Sequence, residues 1–467
     1  MPTVNPVFGQ ENENLPLDSC LVQAAKNNPK VKAAYTRYLA ALEKVPQVGS
    51  LLDPEASFGF FLKPMSLMGG DQIADMRIMQ MFPWFGTLKT ARSEATAMAE
   101  AKFGQFSAEK ADLYFRVKSK WYEMGKISRE LALTRENIEL LESLENIALI
   151  KFQSPVSEST GMKTSGNMNS SNSGMNTMQQ NTSGMSGMSA PASSAVVQAS
   201  RSSAEMSSGA AMGNKGGGLK DVLQVKMEIL DQQNKLDLLN DRLLTAKTEF
   251  NALLNRDLQT SFIVGEQLEQ VELPANKLAI ADSILTNNPM LAMLSHESKA
   301  YDLMGEKAKK MGLPMMGAGI DYSLIRKRDG NTSMMNGNDM LMPMISVSIP
   351  IYRKKYDAMQ KEARLMKESA LLESESLKND LQVQYRSFVQ SLDDADRRMK
   401  LYREQEELAR KTTDLLLSEF SVSGNGYEEV LRMHYRALDY GFKYIEALSD
   451  YNTNVALAEK LMNAVKQ

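Results

Sequence analysis

Six methionines, Met162, Met168, Met175, Met178, Met185 and Met188, punctuate the stretch GMKTSGNMNSSNSGMNTMQQNTSGMSGMSA from Gly161 to Ala190. Everything around them is Ser, Asn, Gly, Thr, Gln and little else. Such a composition buries too little apolar surface to offset chain ordering, which predicts disorder. A thioether has a narrow chemistry. It is useless for general acid–base work, and it ligates soft metals, chiefly Cu(I) and by the same softness Ag(I). Several thioethers on one flexible loop can gather around a single ion. Met315, Met316, Met334, Met335, Met340, Met342 and Met344 form a second concentration. On helices and strands a methionine more often fills gaps in packing. In the polar stretch no core exists to fill, so metal contact stands against compositional drift.

Other chemistry is sparse. One Cys and two His argue against a zinc site of ordinary ligand type and exclude a disulfide within the chain. Cys20 opens a helical pattern, PLDSCLVQAA, without the small-residue run expected before a lipidated cysteine, and reads as a packing residue. His296 and His434 stand singly on predicted helices and read as structural. No nucleophile–base signature and no phosphate-cradling glycine loop is present, so neither an enzyme nor a cofactor is expected. Gly216-Gly217-Gly218 reads as the end of a linker. Charged residues make up 24% of the 467-residue chain, with a formal net charge of −3. Without a basic excess, nucleic acid is not the expected partner.

The elements that position these residues come in two copies. Asn27-Asn28-Pro29 recurs as Asn287-Asn288-Pro289, 260 residues on, and the pairs Pro54/Pro314 and Gly59/Gly319 keep that offset. Each copy runs helix, Pro, alternating segment, Gly-rich loop, second alternating segment, long helix. Ala318, Ile320, Tyr322 and Leu324 alternate with Gly319, Asp321 and Ser323. Ile345, Val347, Ile349 and Ile351 alternate with Ser346, Ser348 and Pro350. A period of two predicts strands with one lipid or core face and one wet face. SFGFFLKP and ADMRIMQMFPWFG are a noisier version in the first copy, making two hairpins in all.

Long helices are predicted from Thr87 to Phe152, a stretch without proline that reaches about 100 Å, and from Tyr352 to Phe420. The returning helix carries a heptad seam, Val222, Val225, Ile229, Gln232, Leu236, Leu239, Leu243, Ala246, Phe250, Leu253. Shifted by 208 residues, the second copy reads Val430, Met433, Ala437, Tyr440, Tyr444, Ala447, Tyr451, Asn454, Ala458, Leu461. A seven-residue repeat signals left-handed coiled-coil packing. The turn between the long helices is short in the second copy, Ser421 to Gly426. In the first it holds about 60 extra residues, which places the methionine-rich segment at a helical hairpin tip. Four divisions follow: 1–152, first repeat; 153–218, Met/Ser/Gly/Asn-rich insertion; 219–276, returning helix and linker; 277–467, second repeat.

No apolar run reaches the about 18 residues of a transmembrane helix. Two β-hairpins leave two open edges, which cannot sit in lipid unless several chains pool their strands. MPTVNPVFGQENEN has no apolar signal-peptide core, so the protein is cytoplasmic or the chain begins near a processing site.

The NNP helix openings, the duplicated helix–hairpin–helix plan and the Phe82-Pro83-Trp84-Phe85-Gly86 entry into a long helix resemble the TolC-type outer membrane efflux factor family. The likeness covers nearly the whole chain except the insertion, and its heavy-metal, copper/silver-type branch fits the methionines. It implies a mainly α fold with a small membrane β contribution: a homotrimeric duct whose β-barrel lies in the outer membrane and whose long α-barrel extends into the periplasm. A periplasmic adaptor protein would meet the hairpin tips, and an inner-membrane pump would supply energy. The family often places acids near the entrance, on the returning helix of the second hairpin. Glu428 and Glu429 match that position, but Arg432 stands where a second acid is common. Both glutamates also suit the first turn of any helix, where the dipole favours negative charge. Three readings follow: a passive duct for Cu(I)/Ag(I), the same duct for organic compounds or secreted protein, and a coiled-coil scaffold with no membrane role.

Overall fold

The computed structural model describes residues 16–153, 217–262, 268–330, 334, 336–423 and 426–464. The six loop methionines from Met162 to Met188, and Met335, lie outside the described residues. Two compact units divide the chain, Met1–Leu140 with Leu230–Gln467, and Leu141–Ile229.

The element order is a repeat. Helices α1 (Leu17–Asn27) and α2 (Pro29–Gly49) lead to strands β1 (Glu55–Leu67) and β2 (Gly70–Phe82), then to α3 (Thr87–Gln153) and α4 (Gly217–Leu254). The second half gives α5 (Lys277–Asn287), α6 (Pro289–Met311), β3 (Met315–Arg326), β4 (Met340–Ser348), α7 (Arg353–Ser423) and α8 (Tyr427–Leu461). The predicted short turn at Ser421 is entered later than expected, because α7 continues through Ser423.

The NNP motif works as a cap and a tie together. Asn28 Oδ1 accepts from the backbone N–H groups of Lys30 and Val31, at 3.0 and 3.4 Å, while Nδ2 donates to the Leu253 carbonyl at 3.0 Å. Asn288 repeats this with Met290, Leu291 and the Leu461 carbonyl, at 3.0, 3.4 and 3.4 Å. Proline at the next position has no N–H to leave unpaired, and its φ suits a first helical turn. The far ends of α4 and α8 match as well. Asn255 and Asn463, 208 residues apart, take left-handed φ values of 51° and 52°. Beyond them, Arg256 N–H donates to the Asn251 carbonyl and Ala464 N–H to the Glu459 carbonyl, at 3.2 and 2.9 Å. Both are six-to-one helix-ending bonds closed by an asparagine, which tolerates this backbone region better than most residues.

Each repeat packs its own core. Cys20, Ala24 and Val31 meet Val117, Met124 and Phe250 in the first. Ile280, Ile284 and Leu291 meet Phe388, Val455 and Leu461 in the second. Every position of both predicted seams is buried or half-buried, whereas Leu230, Leu238 and Leu244 on α4 are exposed. Cys20 is fully buried and unpaired by any disulfide, and burial pushes its thiol above the ordinary value, which keeps it inert. Lys118 to Glu459, and Lys460 to Asp112 at 2.7 Å, tie α3 to α8.

The four strands form one antiparallel sheet in the order β1-β2-β3-β4. The two predicted hairpins are thus joined through β2 and β3. Ile349 and Ile351, expected in the last strand, lie beyond it, and the strand begins earlier, at Met340. Pro350 has no N–H to continue the ladder.

Candidate functional site

Register assigns the paired strand residues to faces. Ile78 pairs with Ile320, and Ile320 with Pro343; Met76 pairs with Tyr322, and Tyr322 with Leu341; Gln80 pairs with Ala318, and Ala318 with Ile345. Phe58 and Phe60 of β1 fall on the same face. From Ala74 to Phe82, and across to their partners, this face is apolar apart from Gln80, with Ser66, Asp71 and Arg326 at its far end. It is open, Phe60 being 81% exposed, Ile320 52% and Ile345 82%. Trp84, Phe85 and Tyr352 are exposed where the strands give way to α3 and α7. An apolar band with an aromatic border is the surface that lipid selects. Strands of 9 to 13 residues reach or exceed the about 9–11 that a tilted membrane strand needs.

The opposite face is polar. Arg77 donates to Asp321 at 3.0 and 2.9 Å across β2 and β3, and Gln72 Nε2 donates to Ser323 Oγ at 3.1 Å. Asp321 is buried among the strands, and Arg77 satisfies it there. Ser57, Asp75 and Ser346 share this face.

Methionines interrupt that polarity. Met340, Met342 and Met344 fall on the wet face, while Met316 falls on the apolar one and Met334 is fully exposed in the β3–β4 turn. Met79 and Met81 of β2, which sequence reasoning did not single out, also fall on the wet face. Met79 pairs with Gly319, which pairs with Met344; Met81 pairs with Gly317, which pairs with Ser346. Their parity with Arg77 and Asp75 was the available signal.

Among the described residues the sheet is unfinished at both sides, since β1 and β4 each have one neighbour. A similar incompleteness appears on α7, where Leu401, Leu408 and Leu415, seven residues apart, are 49%, 64% and 71% exposed. No helix among the described residues is long and apolar enough to cross a membrane.

At the start of α8, Glu428 and Glu429 lie in the first turn behind Gly426, whose φ of 95° needs glycine. Arg432 Nη2 meets Glu429 Oε1 at 2.7 Å. Arg432 therefore compensates the charge of Glu429 locally. Both groups are largely exposed, so the pair adds little stability.

The histidines sit in packing contacts. His296 Nδ1 meets Glu100 Oε2 at 2.8 Å between α6 and α3. His434 Nε2 lies 2.6 Å from Asn137 Oδ1 between α8 and α3. Burial, with Arg410 adding to it, holds His434 below its ordinary pKa. The unfolded chain therefore takes up this proton first as pH falls through about 6.5, and stability should drop across that window toward the lower folded value. His434→Gln should flatten that part of the pH profile of the melting temperature; an unchanged slope would remove His434 from the account. No group of three or more His, Cys, Asp or Glu side chains able to hold a metal occurs among the described residues.

No family model and no curated protein matches the chain in sequence. Solved structures do match in shape. The outer membrane protein VceC of Vibrio cholerae is similar with a TM-score of 0.65 at 11% identity, over 95% of this chain and 95% of its own. The open state of the MtrE outer membrane channel of Neisseria gonorrhoeae gives 0.66 at 12% identity, over 96% and 88%. CusC, whose structures describe folding and transmembrane channel formation, gives 0.63 at 11% identity, over 99% and 98%. At such identities the likeness is one of architecture: this chain has the mainly helical, four-stranded fold of the outer membrane channels.

Proposed function

We propose that the chain is one subunit of a homotrimeric outer membrane duct, the passive exit of a tripartite efflux system that also holds a periplasmic adaptor and an inner-membrane pump. The observation that carries this is the sheet: an exposed apolar face, an aromatic border and two unpaired edges. An open edge in hydrocarbon leaves unsatisfied backbone groups worth several kcal/mol each, so the edges require neighbouring copies. The exposed leucine heptad on α7 supports the same conclusion for the helices, because a seven-residue repeat seeks a partner helix. The β3–β4 turn would then face the exterior, and the α7–α8 turn the periplasm.

Cu(I) and Ag(I) are the cargo that the methionines favour. Met162, Met168, Met175, Met178, Met185 and Met188 would capture the ion at the periplasmic entrance. Thioethers need no deprotonation, so capture holds in a mildly acidic compartment where histidine begins to protonate. The test has two arms. Purified chain should run as a trimer in detergent and give ion conductance in planar bilayers; a stable monomer without conductance would overturn the duct. Replacing the six methionines by leucine should leave trimer and conductance intact while tolerance to silver and copper falls. Unchanged tolerance would remove the loop from the cargo path.

A further inference from the structure

The wet face of the sheet carries two glycines side by side in β3, and sulfur surrounds them. Gly317 is flanked by Met81 on β2 and Ser346 on β4, and Gly319 by Met79 and Met344. Strands lie about 4.8 Å apart, so residues two strands away are about 9.6 Å apart, and a glycine between them leaves a floor their side chains can bridge. The floor is in use at Gly317. A methyl group there would fall 2.6 Å from Met81 Sδ and 2.3 Å from Ser346 Oγ. Ser346 Oγ in turn lies 3.3 Å from Met79 Sδ and 3.7 Å from Met81 Sδ. Two thioether sulfurs thus converge on one hydroxyl, with Met344 across Gly319 from Met79. Met79, Met81 and Met344 are half-buried, whereas Met340 and Met342 nearby on the same face are 49% and 48% exposed.

Ordinary gap filling does not account for this choice of residue. Apart from the methionines themselves, the residues nearest on this face are Ser346 and, one pair along, Arg77 and Asp321, and a thioether gains little from dispersion against them. We propose that Met79, Met81 and Met344, with Ser346 beside them, form a binding site for a soft monovalent cation, Cu(I) or Ag(I), on the wet face of the sheet. The ligands are neutral and soft, which selects such an ion over Na+, K+ or Mg2+. Arg77 would repel a cation, but Asp321 holds and compensates it at 2.9 Å. The proposal rests on the reading of this face as the lumen of a soft-ion duct, and it assigns the exit as well as the entrance a thioether station. Half-burial on a floor of glycines keeps the site shallow, which suits release.

Oxidation footprinting of the full chain in detergent tests the site directly. Peroxide converts methionines to sulfoxides, and peptide mass spectrometry reads each position separately, so the loop methionines do not confuse the result. Silver nitrate in chloride-free buffer is the probe. With free Ag(I) at about ten times the dissociation constant, oxidation of Met79, Met81 and Met344 should slow by about tenfold. Met366, an exposed methionine on α7, should be unaffected. The triple variant Met79→Leu, Met81→Leu, Met344→Leu keeps side-chain bulk and should bind about one Ag(I) fewer per chain than the parent. Equal slowing at Met366 and the three sites, or an unchanged silver count in the triple variant, overturns the site. Bilayer conductance separates the two claims: conductance without protection removes the site and leaves the duct, while protection without conductance does the reverse.

Discussion

A chain carrying Ile320→Lys is expected to be lost from the trimeric membrane fraction, while Met342→Lys assembles normally. Ile320 is the sixth residue of the 12-residue strand β3 and lies on the apolar face between Ile78 and Pro343. It is half exposed in one chain, so the surface it faces is set by what surrounds the protein. A lysine at the midplane of a membrane strand costs about 2–4 kcal/mol per copy, and a trimer carries three. Met342 sits one residue off in parity, beside Asp321 on the wet face, where a lysine stays in water. Vesicle flotation and gel migration after mild solubilisation read the outcome. If both variants float equally as trimers, the assignment of faces is wrong, and the duct reading loses the observation that carries it.

Legibility in the sequence followed how strongly a position restricts residue type. Helix seams were plain, because burial on one stripe of α4 and α8 admits few polar residues, and the heptad can be counted. The NNP motif was plain for a similar reason: Asn and Pro are among the few residues that suit a helix entry. The matching ends at Asn255 and Asn463 went unread, since a lone asparagine after a helix is a weak signal without the backbone bond that gives it meaning. Strands were blurred by their methionines. Met79, Met81, Met342 and Met344 are apolar by any hydropathy measure yet fall on the wet face, so the alternation in β2 and β4 weakens where the candidate site lies. In β1 the register shifts between Phe60 and Met65, which breaks the period of two midway. Pairing of β2 with β3 was beyond reach, because it depends on how two distant hairpins dock. The clustering of Met79 and Met81 at Ser346 followed from that pairing.

The largest effect on stability is expected at the duplicated asparagines. Asn28→Ala removes two functions at once. The α2 cap is lost, at about 1 kcal/mol. The Leu253 carbonyl, at the end of α4, also loses its donor, and leaving this half-buried acceptor unsatisfied adds up to about 3 kcal/mol. Asn288→Ala should cost less, because its bond to the Leu461 carbonyl is longer, 3.4 Å against 3.0 Å. The two sites border different cores, with Val31 in one cluster and Leu291 in the other, so the costs should add, to less than twice that of Asn28→Ala and so below about 8 kcal/mol. Aspartate separates cap from tie. Asn28→Asp keeps an acceptor over the Lys30 and Val31 amides and adds a favourable charge at the helix start. It also replaces the donor to Leu253 by an oxygen that faces a carbonyl. Stability should therefore fall in the order parent, aspartate, alanine if the cap dominates, with aspartate moving to or below alanine if the tie does. Urea midpoints of the detergent-solubilised protein distinguish these orders. Alanine variants with the parent's midpoint would show that the repeated NNP entry holds neither helix to its neighbour, and the symmetry of the two cores would need another cause.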